Sequence, residues 1–401
     1  MAVSAWIAGA TDLLRKRPGL VASAAGAILA FVIAAWWTRP RPLEVPPQRV
    51  AADYSEVALR NLPVPAPVPA PPAADPAEPC GPASSAAGAG EDLAANMAAA
   101  DAALGRLAAD LAARSTARER VLGLYLEMVA PPDGPLDDSQ VRERLGELVR
   151  LATTTSDASA YAMAVYTCTP PRVAAYQECG LVSYQQWARL DPDNAVPWLY
   201  LAGQAERHLD LRAMESALVQ ASKAKFSDAH LDQISGLFAA EPTASIGPGV
   251  QFDLAGSLYS IQGGLPHPPL TTFAHYCGEE MQLYPDRVKT CGDLAATLIE
   301  HGHTPIEVLA ASRVAERIGW TDPRLARLRD QSDAMRWQIF GAGQAPNYLS
   351  LHGCDSLKRL RDYMIVNGEV GEVRQLREAL ANEGISTAQA AQRWRSAQGR
   401  R

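Results

Sequence analysis

Gly19 to Trp37 (GLVASAAGAILAFVIAAWW) runs for 19 residues without a single charge. Such a run belongs in a bilayer or deep inside a core. At about 1.5 Å per residue a helix of this length reaches roughly 28 Å, close to one hydrocarbon thickness. Arg15, Lys16 and Arg17 precede it, and Trp36 and Trp37 close it where an aromatic belt belongs. Ile33-Ala34-Ala35 makes a poor small-x-small cleavage site, and the run is long for the apolar part of a signal peptide. Residues 19–37 are therefore expected to form a retained transmembrane anchor, with 1–18 as a short cytoplasmic segment. Arg39, Arg41 and Arg49 follow the span, so the count of flanking positive charges is nearly tied. Orientation must come from the rest of the chain.

Residues 40–82 hold 13 of the 30 prolines. The stretch Leu62-Pro63-Val64-Pro65-Ala66-Pro67-Val68-Pro69-Ala70-Pro71-Pro72 alternates proline with small apolar residues. Alternation of this kind favours extended polyproline II, a semi-rigid spacer. Residues 38–90 thus read as a Pro/Ala-rich linker holding the body away from the membrane.

From Glu91 onward the pattern is helical. Leu93, Met97, Ala100, Leu104, Leu107 and Leu111 form an a/d stripe, expected to be the core face of a helix in a bundle. Thr304-Pro305-Ile306-Glu307 is a capping box with proline at the first helical position. Asp322-Pro323 and Ser386-Thr387 start further helices. Alternating β-branched runs are missing from the sequence, and valine and isoleucine are sparse beside alanine. The expected class is all-α, with an N-terminal bundle over 91–152 and a helical-repeat body over 153–401. A net charge of −7 leaves no basic face for nucleic acid.

Within the body, Trp187-Ala188-Arg189-Leu190-Asp191-Pro192-Asp193-Asn194-Ala195 is followed by Trp198, Leu201, Ala202 and Ala205, then by Met214, Leu218 and Ala221. Over residues 181–226 this spacing resembles one tetratricopeptide repeat and its preceding turn. The resemblance implies that Trp198, Leu201 and Ala202 on a first helix pack against Met214, Leu218 and Ala221 on a second, with Pro192 ending the helix before. Ala205 and Met214 depart from the family pattern, which usually has an aromatic and an alanine there. A single repeat cannot bury both its faces, so irregular helical neighbours are expected around it. The resemblance also implies a surface that binds proteins or peptides.

The six cysteines are Cys80, Cys168, Cys179, Cys277, Cys291 and Cys354, and none stands in a Cys-x-x-Cys pair. An even number beyond a membrane anchor suggests disulfides. Cys277 and Cys291 are equidistant from residue 284, in the turn Tyr284-Pro285-Asp286, so a helical hairpin would place them opposite each other. Cys168 and Cys179 flank Thr169-Pro170-Pro171, with Cys179 expected about two turns into its helix. Cys80 and Cys354 are left to pair. Disulfides would place the body in an oxidising space, with the N-terminus in the cytoplasm of a bacterium and the body in its periplasm.

Catalytic chemistry leaves a weaker trace. His275, Glu279, Glu280, His301 and His303 crowd the 275–303 region, yet the glutamates point nearly 100° apart on a helix and His301-Gly302-His303 suits a helix C-terminus. Phosphate-cradling, nucleophile-elbow and His-Glu-x-x-His motifs are all missing. Cysteine and histidine in this hairpin could bind zinc, but the symmetric Cys277 and Cys291 are better explained as a disulfide, which cannot ligate, so no cofactor or metal is expected. The loop Gly263-Gly264-Leu265-Pro266-His267-Pro268-Pro269 is exposed in character and could border a binding surface. The expectation is a single-pass inner-membrane protein whose periplasmic body is a scaffold or adaptor for a protein or peptide partner. The alternative is an envelope hydrolase using the acidic and histidine residues of 275–303. A redox-sensitive cysteine pair is a third reading.

Overall fold

The computed structural model describes residues 93–131, 134–240, 246–340, 362–364, 366–368 and 371–398. The expected anchor 19–37, the linker 38–90, Cys80 and Cys354 lie outside these residues. Among the described residues, no helix is long and apolar enough to cross a membrane. The chain divides into two units, 1–75 and 76–401, and all described residues belong to the second.

This unit is helical throughout its described residues. It comprises α1 (Leu93–Ala113), α2 (Ala117–Val129), α3 (Asp138–Thr154), α4 (Ala158–Thr167), α5 (Tyr184–Leu190), α6 (Ala195–Arg207), α7 (Leu211–Ala221) and α8 (Gln233–Ala240). After these come α9 (Pro248–Gly264), α10 (Leu270–Tyr276), α11 (Pro285–His301), α12 (Pro305–Arg317), α13 (Pro323–Phe340), α14 (Glu372–Asn382) and α15 (Thr387–Gln398). Short 3-10 turns occupy Gln177–Leu181 and Glu279–Leu283. Extended pairing among the described residues is limited to two isolated bridges, Asn194 with Phe226 and Ser227 with Gly302.

Local chemistry sets the boundaries. Thr116, Asp137, Asp157, Ser183, Asn194 and Asp210 each cap a helix by accepting a backbone N–H in the first turn. Proline opens α11, α12 and α13, where its missing N–H costs nothing. Small residues then let helices approach closely. A Cβ on Gly123 of α2 would sit 2.3 Å from the Ala112 nitrogen and 2.7 Å from the Ala108 oxygen of α1. In the a/d stripe, Ala100, Leu104, Leu107 and Leu111 are buried, whereas Met97 is 53% exposed. The core-facing part of α1 is therefore shorter than the stripe.

α6 and α7 form an antiparallel hairpin whose tight turn places Leu209 at φ 59°. Ala202, Leu218 and Ala221 are buried in it, and Trp198, Leu201 and Met214 are half-buried against the same core. The Trp198 indole donates to the Pro192 carbonyl at 3.1 Å. α6 also divides two hydrophobic clusters. Val196 and Tyr200 face the one built from α1–α5, α8 and α9; Ala195, Leu199 and Ala202 face the one built from α7 and α10–α13.

Candidate functional site

A polar seam runs between these two clusters. Its spine is the connector from α7 to α8. This connector is held in extended contact on both sides, by Ala195 donating to the Phe226 carbonyl at 2.9 Å and by the bridge from Ser227 to Gly302. It thereby links the turn before α6 to the turn before α12.

Side chains complete the seam. Asn194 is fully buried, and its amide donates to the Asp228 carbonyl at 2.6 Å and to Asp191 Oδ2 at 2.7 Å. Its Oδ1 accepts the backbone N–H of Asp228 at 3.0 Å. His230 adopts a left-handed φ of 54°, and its ring lies between Asp191 and Asp228, with each contact 3.2 Å. Across the seam, His303 Nδ1 lies 3.2 Å from Asp232 Oδ2 and 3.5 Å from Asp228 Oδ1. Glu307, fully buried, accepts from Ser227 Oγ at 2.7 Å, the Thr304 N–H at 2.9 Å and the His303 N–H at 3.0 Å.

The electrostatics follow from this geometry. Burial opposes charging the two imidazoles, but the facing carboxylates outweigh it. The His230 pKa is raised to about 10 and that of His303 to about 9. Burial likewise opposes ionisation of Asp228, yet His230 and His303 hold its carboxyl well below the usual range. Glu307 goes the other way: burial raises its pKa, and its hydrogen-bond donors only partly offset that.

A second feature lies beside α6. Tyr184 and Tyr200 stack with centroids 4.9 Å apart, and Trp187 and Tyr166 pack beneath them, edge to face at 5.5 Å. Gly263 and Gly264, expected in a loop, end α9, and the following Leu265–Pro269 segment forms one wall. Its Pro266 carbonyl accepts the Tyr200 hydroxyl at 2.6 Å. Its Pro269 lies so close to α6 that a Cβ on Gly203 would come within 2.6 Å of the Pro269 Cγ. The result is an open groove of about 490 Å³, bordered by Tyr184, Gln204, Arg207, His267 and the Cys168–Cys179 pair. Arg207 is exposed at its rim, and burial lowers the His267 pKa.

Comparison with protein-family models, curated proteins and solved structures finds no match for this chain.

The four cysteines among the described residues are joined in two bonds. Cys168 and Cys179 are joined with Cα atoms 5.4 Å apart, and Cys277 and Cys291 with Cα atoms 5.8 Å apart. The path differs from a plain helical hairpin in both cases. Cys168 and Cys277 are the C-cap residues of α4 and α10. Cys179 lies on a 3-10 turn rather than inside a helix, and a second 3-10 turn intervenes between Cys277 and α11.

The acidic and histidine residues of 275–303 do not form one constellation. His275 pairs with Glu206 at 3.1 Å, His301 lies 3.7 Å from Glu300, and His303 joins the seam. Glu279 and Glu280 lie in the first turn of the 3-10 segment. The seam itself escaped the sequence reading. Asp191, Asn194, His303 and Glu307 stand in motifs that the sequence offers, but as a repeat turn, a helix end and a capping box rather than as one cluster.

Proposed function

We propose that the protein is a membrane-tethered adaptor of the bacterial envelope. In this reading 19–37 anchors it in the inner membrane with the N-terminus in the cytoplasm. The 38–90 linker spaces the body into the periplasm, and a divergent tetratricopeptide-like arrangement of helical hairpins presents a surface to a protein or peptide partner.

The groove beside α6 carries this reading. An aromatic face at Tyr184, an amide at Gln204 and an exposed cation at Arg207 suit an extended peptide with a carboxylate. The groove sits on a rigid support, since Tyr200 and Trp187 beneath it are buried and the Cys168–Cys179 bond borders it. Disulfides in the body support an oxidising compartment. The histidines of 275–303 each face a different carboxylate and do not converge with Glu279 and Glu280, which lends less support to a hydrolase.

The test is crosslinking in intact cells from a photoreactive residue at position 184, with a second probe at the remote Arg393. A discrete adduct at 184, lost on Arg207→Glu and not seen from 393, supports the adaptor reading. Identical adducts from both positions, or none at 184, contradict it.

A further inference from the structure

We propose that Asp228, Asp232 and His303 form a binding site for one divalent transition-metal ion, with zinc the best match to their chemistry. The site is independent of the groove and of the adaptor reading.

The donors converge from two segments far apart in sequence. Asp228 and Asp232 come from the connector into α8, and His303 comes from the turn between α11 and α12. One oxygen from each aspartate and one ring nitrogen of His303 all lie within 4.8 Å of one another. Nδ1 of His303 is 3.2 Å from Asp232 Oδ2 and 3.5 Å from Asp228 Oδ1. Tetrahedral zinc, with bonds of about 2.0–2.1 Å, separates neighbouring donors by roughly 3.3 Å. Small adjustments of these side chains therefore suffice to admit the ion. A mixed nitrogen and oxygen set suits zinc better than calcium or magnesium, which prefer oxygen alone.

Charge points the same way. Asp191, Asp228 and Asp232 are each paired with imidazole, and among the described residues none of them has a lysine or arginine partner. Even with both rings counted as cations, three carboxylates face at most two positive charges, in a region where screening by water is weak. Zinc binding displaces the His303 Nδ1 proton to solvent, so the ring ligates as neutral imidazole; the three carboxylates then face the divalent ion and the His230 cation, and the charges balance.

Space is kept at the nitrogen that would ligate. Gly371, at φ 76°, passes directly over the His303 ring, and a Cβ there would lie 2.9 Å from Nδ1. The positive φ and this close approach together require glycine. The surroundings also hold the donors in place. The main chain of His303 is fixed on both sides, its N–H by Glu307 at 3.0 Å and its carbonyl by the Val373 N–H at 3.1 Å. Asp228 Oδ1 accepts the His230 N–H at 2.7 Å. Outer contacts of this kind are what orient metal ligands. The His303 side chain remains 29% exposed, which gives an ion a route from solvent. Three protein ligands leave the fourth position of a tetrahedral ion to water.

The test uses the full-length chain in detergent, stripped with a chelator and titrated with zinc by calorimetry and with cobalt by visible absorption. The expected result is one equivalent of either ion, with cobalt giving absorption bands of a tetrahedral nitrogen and oxygen site. Asp232→Asn and His303→Gln should each weaken binding at least tenfold while far-ultraviolet dichroism is unchanged. Asp191→Asn, which touches only the His230 side of the seam, should retain binding. Should His303→Gln unfold, Asp232→Asn decides, because its amide keeps the shape of the side chain. Failure to take up zinc at 100-fold excess over protein would overturn the site, as would uptake that is the same in wild type and Asp232→Asn.

Discussion

Ser227 Oγ donates to Glu307 Oε1 at 2.7 Å, joining two turns that are 80 residues apart in sequence. Glu307 also closes the first turn of α12 by accepting the Thr304 N–H. One carboxylate thus serves as a local helix cap and as a long-range tie. Glu307→Ala would strand Ser227 Oγ and two backbone N–H groups inside the seam. The expected loss is about 3 kcal/mol, near the upper end for a buried unsatisfied group. Glu307→Gln, which keeps one acceptor oxygen, should cost clearly less. Urea unfolding of the two variants checks both the loss and its order.

The seam makes stability pH-dependent in a defined direction. His230 and His303 have folded pKa values raised to about 10 and about 9, above the ordinary value near 6.5. Their contribution is fully present below about pH 6.5 and is lost as pH rises through the folded values. Asp228 acts oppositely: its pKa is depressed, so its contribution is present above the ordinary carboxylate range and is lost on acidification below it. The urea midpoint of apo protein is expected to fall steadily from pH 6.5 to pH 10. His230→Asn should flatten that decline, and an unchanged slope in the variant would show that His230 does not carry it.

Each disulfide closes a short loop, with cysteines 14 residues apart for Cys277–Cys291 and 11 for Cys168–Cys179. Constraining the unfolded chain over such loops contributes about 2–4 kcal/mol. The pair Cys277→Ser and Cys291→Ser should lose stability in that range by denaturant unfolding. Cys291 is fully buried, so the introduced hydroxyl adds to the loss. Alanine at both positions should therefore be milder than serine.

α1 and α2 touch through backbone at Gly123. A methyl group there would meet the α1 main chain at 2.3 Å, and neither helix can move aside without opening the core. Gly123→Ala is expected to destabilise by about 1–3 kcal/mol, the usual cost of overpacking. Its more favourable helix propensity recovers less than that. Gly134, with open space around its Cβ position but φ 95°, provides a contrast in which only backbone strain should be felt.

The helical class, the pairs Cys168–Cys179 and Cys277–Cys291, and the α12 cap were legible in the sequence because each is set by nearby residues. Pro285, Pro305 and Pro323 each stand at a helix start, and short spacing limits which cysteines can meet. Details that depend on tertiary packing were not legible. The 3-10 turns at Gln177–Leu181 and Glu279–Leu283 replace the expected continuous helices, and Met97 leaves the core although it continues the heptad pattern. The seam was the least legible feature. Asn194, Asp228, His230, Asp232 and His303 come from three separate turns, and no periodicity connects them. Asp228-Ala229-His230 read alone is an ordinary polar loop. Only the bridges on either side of the connector bring it against Asn194 and Gly302.

We propose a disulfide-stapled body held outside the cytoplasm by an N-terminal anchor. The most direct measurement is alkylation of thiols inside living cells, followed by intact mass and peptide mapping of the full-length chain. Cys168, Cys179, Cys277 and Cys291 are expected to escape alkylation until a reductant is added, on a chain that keeps residues 19–37. Alkylation of these four cysteines without reductant would contradict it and place the body in a reducing compartment.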